Sequence, residues 1–328
     1  MRILVTGSAG HLGEALMRTL PDAGHEPVGV DLKPSAFTHH AGTIADRAFV
    51  KGCMRGVEAV LHAATLHKPH VATHGRQDFV DTNVTGTLNL LEEASAARVR
   101  AFVYTSTTSA FGRALVPPPG APAAWITEDV TPVPKNIYGV TKVAAEDLCE
   151  LFHHRASVPC LVLRTSRFFP EEDDRKETRE AYADQNAKAN EFLYRRVDVE
   201  DIVSAHLRAM ERAPAIGFGR YIISATTPFT RADLAELRDD APAVLARRVP
   251  RYREVYAARG WSMFPGVDRV YDNTRARRDL GWRPQYDFAK VLDLIESEGV
   301  VGSPLARIIG SKGYHTERFA EGPYPVDP

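Results

Sequence analysis

The chain reads as short apolar runs alternating with longer segments whose apolar residues recur every three or four positions. Residues 3–6, 26–30, 57–62, 100–106 and 160–165 have the length and apolar density of buried strands. Residues 12–20, 81–97 and 138–153 carry a helical period instead. The first of these helices is expected to stop near Pro21, which cannot continue it. Strands followed by amphipathic helices imply right-handed crossovers and a parallel sheet covered on both faces. The predicted fold class is α/β, a doubly wound parallel sheet.

The later chain is less regular. A helix over 198–212 and a strand over 221–225 predict that late segments return to the first domain. Pro117, Pro118, Pro119 and Gly120, then Pro132 and Pro134, bracket a loop after the 100–106 strand. Residues 171–191 are strongly charged and nearly free of large aliphatics, so they are expected to form an exposed excursion. The acidic run 171–174 and the pair His39 and His40 read as solvated surface. From about Pro228 the pattern is mixed, and it ends in a Gly/Pro-rich tail from Gly310. The expected organisation is a nucleotide-binding domain over 1–166, with 196–226 returning to it. Residues 167–195 and 227–328 then form a smaller, C-terminal substrate-binding region. No internal repeat is evident.

Composition changes this picture little. The 328 residues suffice for one large domain or two coupled ones, and 44% hydrophobic with 25% charged residues is ordinary for a globular protein. A net charge of −1 gives no electrostatic reason to expect nucleic acid or an anionic membrane as partner. The basic run from Arg247 to Arg253 is read as surface. Cys53, Cys149 and Cys160 lack ligand-like spacing and suit a reducing compartment. The apolar start is too short for a signal peptide, and no run reaches the ~18 apolar residues of a membrane span, so the expectation is a cytoplasmic protein.

The chemistry begins at VTGSAGHLG, residues 5–13. Gly7 permits a tight strand-to-helix turn, Gly10 clears a path for a pyrophosphate, and Gly13 allows close helix packing. The helix that follows would aim its free N–H groups at the phosphates. The spacing is G-x-x-G-x-x-G rather than G-x-G-x-x-G. Its position after a strand and before a helix, with Asp31 closing the second strand, nonetheless predicts a Rossmann-type dinucleotide site. A carboxylate at Asp31 accepts hydrogen bonds from ribose hydroxyls and repels a 2′-phosphate, which favours NAD over NADP, with Lys33 nearby as the opposing sign.

Residues 138–142 read YGVTK. Positions i and i+4 share a helix face, so Tyr138 and Lys142 are expected to point into one cleft. A phenol is normally too weak a base at neutral pH, and an adjacent ammonium is expected to lower its pKa. The pair follows Tyr104, Thr105, Ser106, Thr107 and Thr108, a hydroxyl run at a strand's C-terminal end, where open α/β sheets bind ligands.

With these motifs in order, the chain resembles the extended short-chain dehydrogenase/reductases, the NAD-dependent epimerase/dehydratase family. TGSAGHLG resembles the family's nucleotide loop, HAA at 62–64 its fourth-strand signature, and DTNVTGTLNLLEEA at 81–94 the helix behind the active site, with Asn83 at the family's asparagine. VYTSTTSAFG (103–112), YGVTK, LVLRTS (161–166), RRVDVEDIVSAHLRAM (195–210) and DNTRARRDLGWRP (272–284) resemble later landmarks, so the match spans roughly residues 1–290. The resemblance implies that Tyr138 is the catalytic acid/base, Lys142 its tuning and ribose-binding partner, and Thr107 the substrate-orienting hydroxyl, with Ser106 as the alternative. It assigns NAD binding to Gly7, Gly10, His11, Leu12, Gly13, Asp31, Ala63, Ala64, Thr65 and Thr105, with Tyr138 and Lys142. It also implies a sugar substrate and a homodimer formed through the helices bearing Tyr138 and residues 81–97.

The pattern departs from the family in places. Thr108 and Ser109 stand where sugar 4,6-dehydratases carry an acidic pair, which argues against dehydration. Arg167 stands where an asparagine usually follows the sixth strand, and the segment from Arg164 to Arg196 is short for a nucleotide-sugar diphosphate site. RTSRFFPEEDDR (164–175) and Lys68-Pro69 resemble uronate dehydrogenases instead, and Arg167, Arg175 or Lys176 could each pair with a carboxylate or phosphate. Those enzymes are shorter and lack DNTRARRDLGWRP, so epimerase and dehydrogenase both stand. A non-catalytic NAD-sensing regulator predicts a broken Tyr/Lys pair, and both residues are present. His62, His67, His70 and His74 lie close in sequence, but no metal is expected. His67 and His70 read as pocket-lining residues, and Trp125, Trp261 and Trp282 as packing.

Overall fold

The computed structural model describes residues 1–313, 315 and 319. Its strands are β1 (Arg2–Thr6), β2 (Glu26–Asp31), β3 (His40–Ala41), β4 (Ala59–His62), β5 (Ala101–Thr107), β6 (Ala124–Ile126), β7 (Cys160–Thr165), β8 (Phe218–Ile223) and β9 (Arg269–Tyr271). Seven of them form a fully parallel central sheet in the order β3-β2-β1-β4-β5-β7-β8. The order reverses direction at β1 and β4, and open α/β sheets bind ligands where it does so.

Side-chain alternation explains why both faces are buried. Ile3, Val5, Leu61, Val103, Leu161 and Leu163 point to one core, against the helices His11–Thr19 and Val199–Ile216. Leu4, Val60, Phe102, Tyr104, Cys160 and Val162 point to the other, against Gly86–Ala97 and Ile137–Ala156. A strand's period of two makes this division automatic. The predicted helix over 81–97 is two elements, a π-helical turn at Val80–Thr85 running into the Gly86–Ala97 helix.

A second core joins Phe192, Leu193, Phe229, Leu245, Tyr256, Phe288 and Ile295. The small parallel pair of β6 with β9 lies beside it. Segments 199–216 and 218–223 do join the large sheet's layers. So do Ala276, Leu280, Trp282 and Ile309, from within the stretch expected to stay with the substrate region. The Trp282 indole donates to the Asp201 carbonyl and to Ser204 Oγ, tying that stretch to the Val199–Ile216 helix.

The expected exposed excursion at 171–191 holds in its middle, where Arg175, Lys176, Glu177, Glu180 and Ala181 are exposed, and is corrected at both ends. Glu171, Asp173 and Asp174 are buried, and in the helix Asp184–Glu191 every residue from Asn186 to Glu191 is buried. Charge did not prevent this because each buried carboxylate named here meets a cation or a donor. Arg195 Nη2 lies 2.6 Å from both Asp173 and Glu191, Arg196 Nη2 lies 2.6 Å from Glu191, and Lys68 Nζ lies 2.6 Å from Asp174. Asn186 and Asn190 both donate to the Ser262 carbonyl at 2.9 Å. Buried polar groups of this kind are tolerated when each has a partner.

Candidate active site

A cavity of about 800 Å³ runs along the C-terminal ends of β1, β2, β4, β5 and β7. At one end it is lined by the glycine loop. Gly7 has φ +75°, a left-handed conformation that L side chains rarely adopt. A Cβ on Gly13 would lie 1.9 Å from the Gly7 carbonyl oxygen, so the helix packs onto the loop's own backbone. A Cβ on Gly10 would meet only that same oxygen, at 3.2 Å, and Gly10 lines the cavity. Asp31, at the end of β2, accepts from the backbone N–H of Ala9 (3.0 Å) and of Lys33 (2.8 Å), which fixes its carboxylate at the cavity wall. His11, Leu12, Ala63, Ala64 and Thr65 also line this end. The approach over Gly10, the N–H groups of the first helical turn and the oriented Asp31 fit a dinucleotide.

The opposite end carries Tyr138 and Lys142, both buried on the Ile137–Ala156 helix, whose start is capped by Asn136 accepting from the Gly139 N–H. The Tyr138 side chain hydrogen-bonds Thr107. Thr107 itself accepts from the Ser109 N–H at 3.0 Å, so its hydroxyl is held as β5 ends. Lys142 Nζ donates to the Thr105 carbonyl (2.7 Å) and lies 4.1 Å from the centre of the Tyr104 ring. Asn83, in the π-helical turn, braces this arrangement. Its amide donates to the Leu66 carbonyl and to Thr141 Oγ1, and its Oδ1 accepts from Thr65 and Leu66.

The electrostatics differ from the expected ones. Burial pushes the Tyr138 phenol up to about 12, against the Thr107 hydrogen bond, which lowers it. Burial brings Lys142 down to about 7, against the Glu146 carboxylate, which raises it. The expected depression of the phenol by Lys142 is absent because the ammonium is turned onto the Thr105 carbonyl and the Tyr104 ring, and desolvation dominates.

Other predicted residues separate into those facing the cavity and those engaged elsewhere. The Ser106 hydroxyl donates to Glu146 at 2.5 Å, in a buried group with Arg164, so it is unsuited to orienting a substrate. Thr105 turns its hydroxyl to His206 (2.8 Å) and offers its carbonyl to Lys142. His62 is bonded through both ring nitrogens, to Thr6 and Thr87. His67 lines the cavity with its ring centre 6.3 Å from that of Tyr138, and burial brings its pKa down to about 3. Arg167 lines the cavity and pairs with Asp174 and Glu191 at 3.4 and 3.7 Å. Arg175 and Lys176 are exposed and lie outside the lining, which corrects their assignment as carboxylate partners.

Arg195 and Arg269 also line the cavity; Arg195 opens the motif at 195–210 without having been assigned to the site, and no motif pointed to Arg269. Arg195 is occupied by Asp173 and Glu191. Arg269 projects from β9 with its guanidinium 5.8 Å from the Tyr194 ring centre and its Nε donating to Tyr271 Oη at 3.3 Å. Among the described residues no carboxylate lies within ion-pairing distance of it.

The chain is 27% identical to a UDP-glucose 4-epimerase of Streptomyces lividans over 331 residues, covering 90% of this chain and 95% of that one. It is 32% identical over 167 residues to an uncharacterized protein of Sinorhizobium fredii, of which it spans only 39%. Its fold matches that of a short-chain dehydrogenase/reductase superfamily protein from Agrobacterium tumefaciens, solved with bound NAD. That match has a TM-score of 0.63 at 24% identity, covering 89% of this chain and 95% of the other. The model of the NAD dependent epimerase/dehydratase family matches residues 3–223, from β1 to the end of β8, and the chain belongs to that family.

Proposed function

We propose that this protein is an NAD-dependent enzyme that acts by hydride transfer at a secondary hydroxyl of a sugar or nucleotide sugar. The observation that carries the reading is the meeting of Tyr138, Thr107 and Lys142 in one cavity with the glycine loop and Asp31. Gly7, Gly10 and Gly13 with the helix start would hold the pyrophosphate, and Asp31 a ribose. When bound, NAD accepts the hydride from the carbinol carbon. Thr107 orients the substrate hydroxyl, and Tyr138, once ionised, takes its proton. Lys142, anchored on the Thr105 carbonyl, would donate to the nicotinamide ribose. General acid–base transfer of this kind contributes about 10²–10⁴-fold. Thr108 and Ser109 bring no carboxylate beside Thr107, which argues against expulsion of water.

A second reading is net oxidation of a free sugar acid, and Arg269 favours it. Lys68, Arg167 and Arg195 are already matched with carboxylates, whereas Arg269, also in the lining, has no carboxylate partner among the described residues. Free uronic acids, free aldoses and nucleotide sugars, offered in parallel with NAD, separate the two. An inverted product without net NADH supports an epimerase. Stoichiometric NADH from a sugar acid, with Arg269→Ala raising KM for that acid but not for a neutral aldose, supports the dehydrogenase. No turnover of any of these by a folded protein that binds NAD refutes both.

A further inference from the structure

The last described stretch of the chain returns to the nucleotide loop. Glu171 Oε1 accepts hydrogen bonds from Ser311 Oγ at 2.9 Å, from the Lys312 N–H at 3.1 Å and from the Gly313 N–H at 3.2 Å. The same oxygen lies 2.9 Å from His11 Nε2, on the first turn of the helix that follows the glycine loop. The Lys312 ammonium pairs with Glu14, one turn further along that helix. Beyond it, His315 Nε2 meets the Pro69 carbonyl at 3.0 Å, so the chain crosses toward the Lys68–His70 turn on the other wall. Residues 311–313, His11 and Glu171 all line the same cavity as Gly10 and Asp31. Glu171 is 7% exposed, and its second oxygen, Oε2, is buried with no hydrogen-bond partner among the described residues. A buried carboxylate oxygen left in this state is costly unless a ligand supplies a donor.

We propose that residues 311–313, clasped by Glu171 and His11, form a wall of the dinucleotide site that must open before the dinucleotide can leave. This rests on the NAD-binding reading above. It is not a property of the glycine motif, because the clasp joins positions about 300 residues apart: Lys312 meets His11 and Glu14. Glu171 acts as a positioning residue. It gathers three donors from the strap on one oxygen. A site built in this way retains its cofactor between turnovers.

The test measures release of etheno-NAD from the full chain on chasing with excess NAD, followed by fluorescence. Glu171→Gln, and a chain ended after Gly310, are each expected to release the probe about tenfold faster or more, as removal of a charge-assisted hydrogen-bond set implies. The two changes combined should add little beyond either alone, because both open the same clasp. Lys312→Ala supplies a milder variant should the shortened chain fail to fold. Unchanged release in folded variants overturns the strap and leaves the NAD reading intact. Absence of etheno-NAD binding by the unaltered protein overturns the NAD reading itself, and the strap with it.

Discussion

Tyr138→Phe removes one hydroxyl from a buried ring and leaves the cavity walls in place. Its expected effect is a loss of about 10²–10⁴ in kcat with little change in etheno-NAD affinity. Equal losses in turnover and affinity would mean that Tyr138 serves binding instead. His206 supplies a prediction of the opposite kind, on stability. It is fully buried, with Nδ1 on the Ile202 carbonyl and Nε2 on Thr105 Oγ1, and burial brings its pKa down to about 4. The unfolded chain therefore binds more protons than the folded one between pH ~4 and ~6.5. Stability from this group is complete above pH ~6.5 and is lost as pH falls through about 4, by on the order of 3 kcal/mol. Urea midpoints measured across that range should fall less steeply in His206→Gln, which cannot take up the proton.

The strand–loop–helix unit at the N-terminus is legible in the sequence, because each glycine answers a local backbone demand. Gly13→Ala puts a methyl 1.9 Å from the Gly7 carbonyl oxygen, and neither backbone can yield without moving the helix start. The expected result is a folded protein with etheno-NAD affinity reduced by about tenfold or more, read by fluorescence titration. The helix Asp184–Glu191 teaches the reverse. Its sequence, DQNAKANE, carries no large aliphatic residue, and by composition it belongs on a surface. It is buried because Glu191 is met by Arg195 and Arg196 at 2.6 Å and by Arg167 at 3.7 Å, contacts that hold its carboxyl well below the usual range against the cost of burial. Glu191→Gln leaves three arginines short of a counter-charge. It should cost about 3–5 kcal/mol in denaturant unfolding, as breaking a buried ion pair does. A loss near zero would show that Asp173 and Asp174 can compensate alone.

At the scale of the whole molecule the two cores are interlocked rather than strung in series. Trp282 and Ile309 lie in the sheet's core, while Phe192 and Leu193, from before the Val199–Ile216 helix, lie in the second. Asp201, within that helix, accepts from the backbone N–H groups of Gln285 (2.7 Å) and Tyr286 (2.9 Å). Thermal unfolding followed by far-ultraviolet circular dichroism and by tryptophan fluorescence should therefore give one coincident transition. NAD at about 100 times its Kd should raise the stability of the whole molecule by roughly 2.7 kcal/mol. Two separated transitions, with only one shifted by NAD, would show that the cores unfold independently.

The sequence alone determined the parallel sheet, the glycine loop after its first strand and the placing of Tyr138 and Lys142 on one helix. Each rests on a short-range regularity: alternation along a strand, glycine where backbone crowds, and i, i+4 spacing on a helix. Even at the site, neighbouring hydroxyls in one strand diverge, Ser106 toward Glu146 and Thr107 toward Tyr138, because pleating sends successive side chains to opposite faces. Only the tertiary structure decided what has no local signature. The burial of Asp173, Asp174 and Glu191 depends on which arginines the fold brings to them. Arg269 reaches the cavity through the β6–β9 pairing, and residues 311–313 meet His11 across almost the whole chain. Partnership between charges far apart along the chain, such as Lys68 with Asp174, is set by distance in space, and no sequence spacing encodes it.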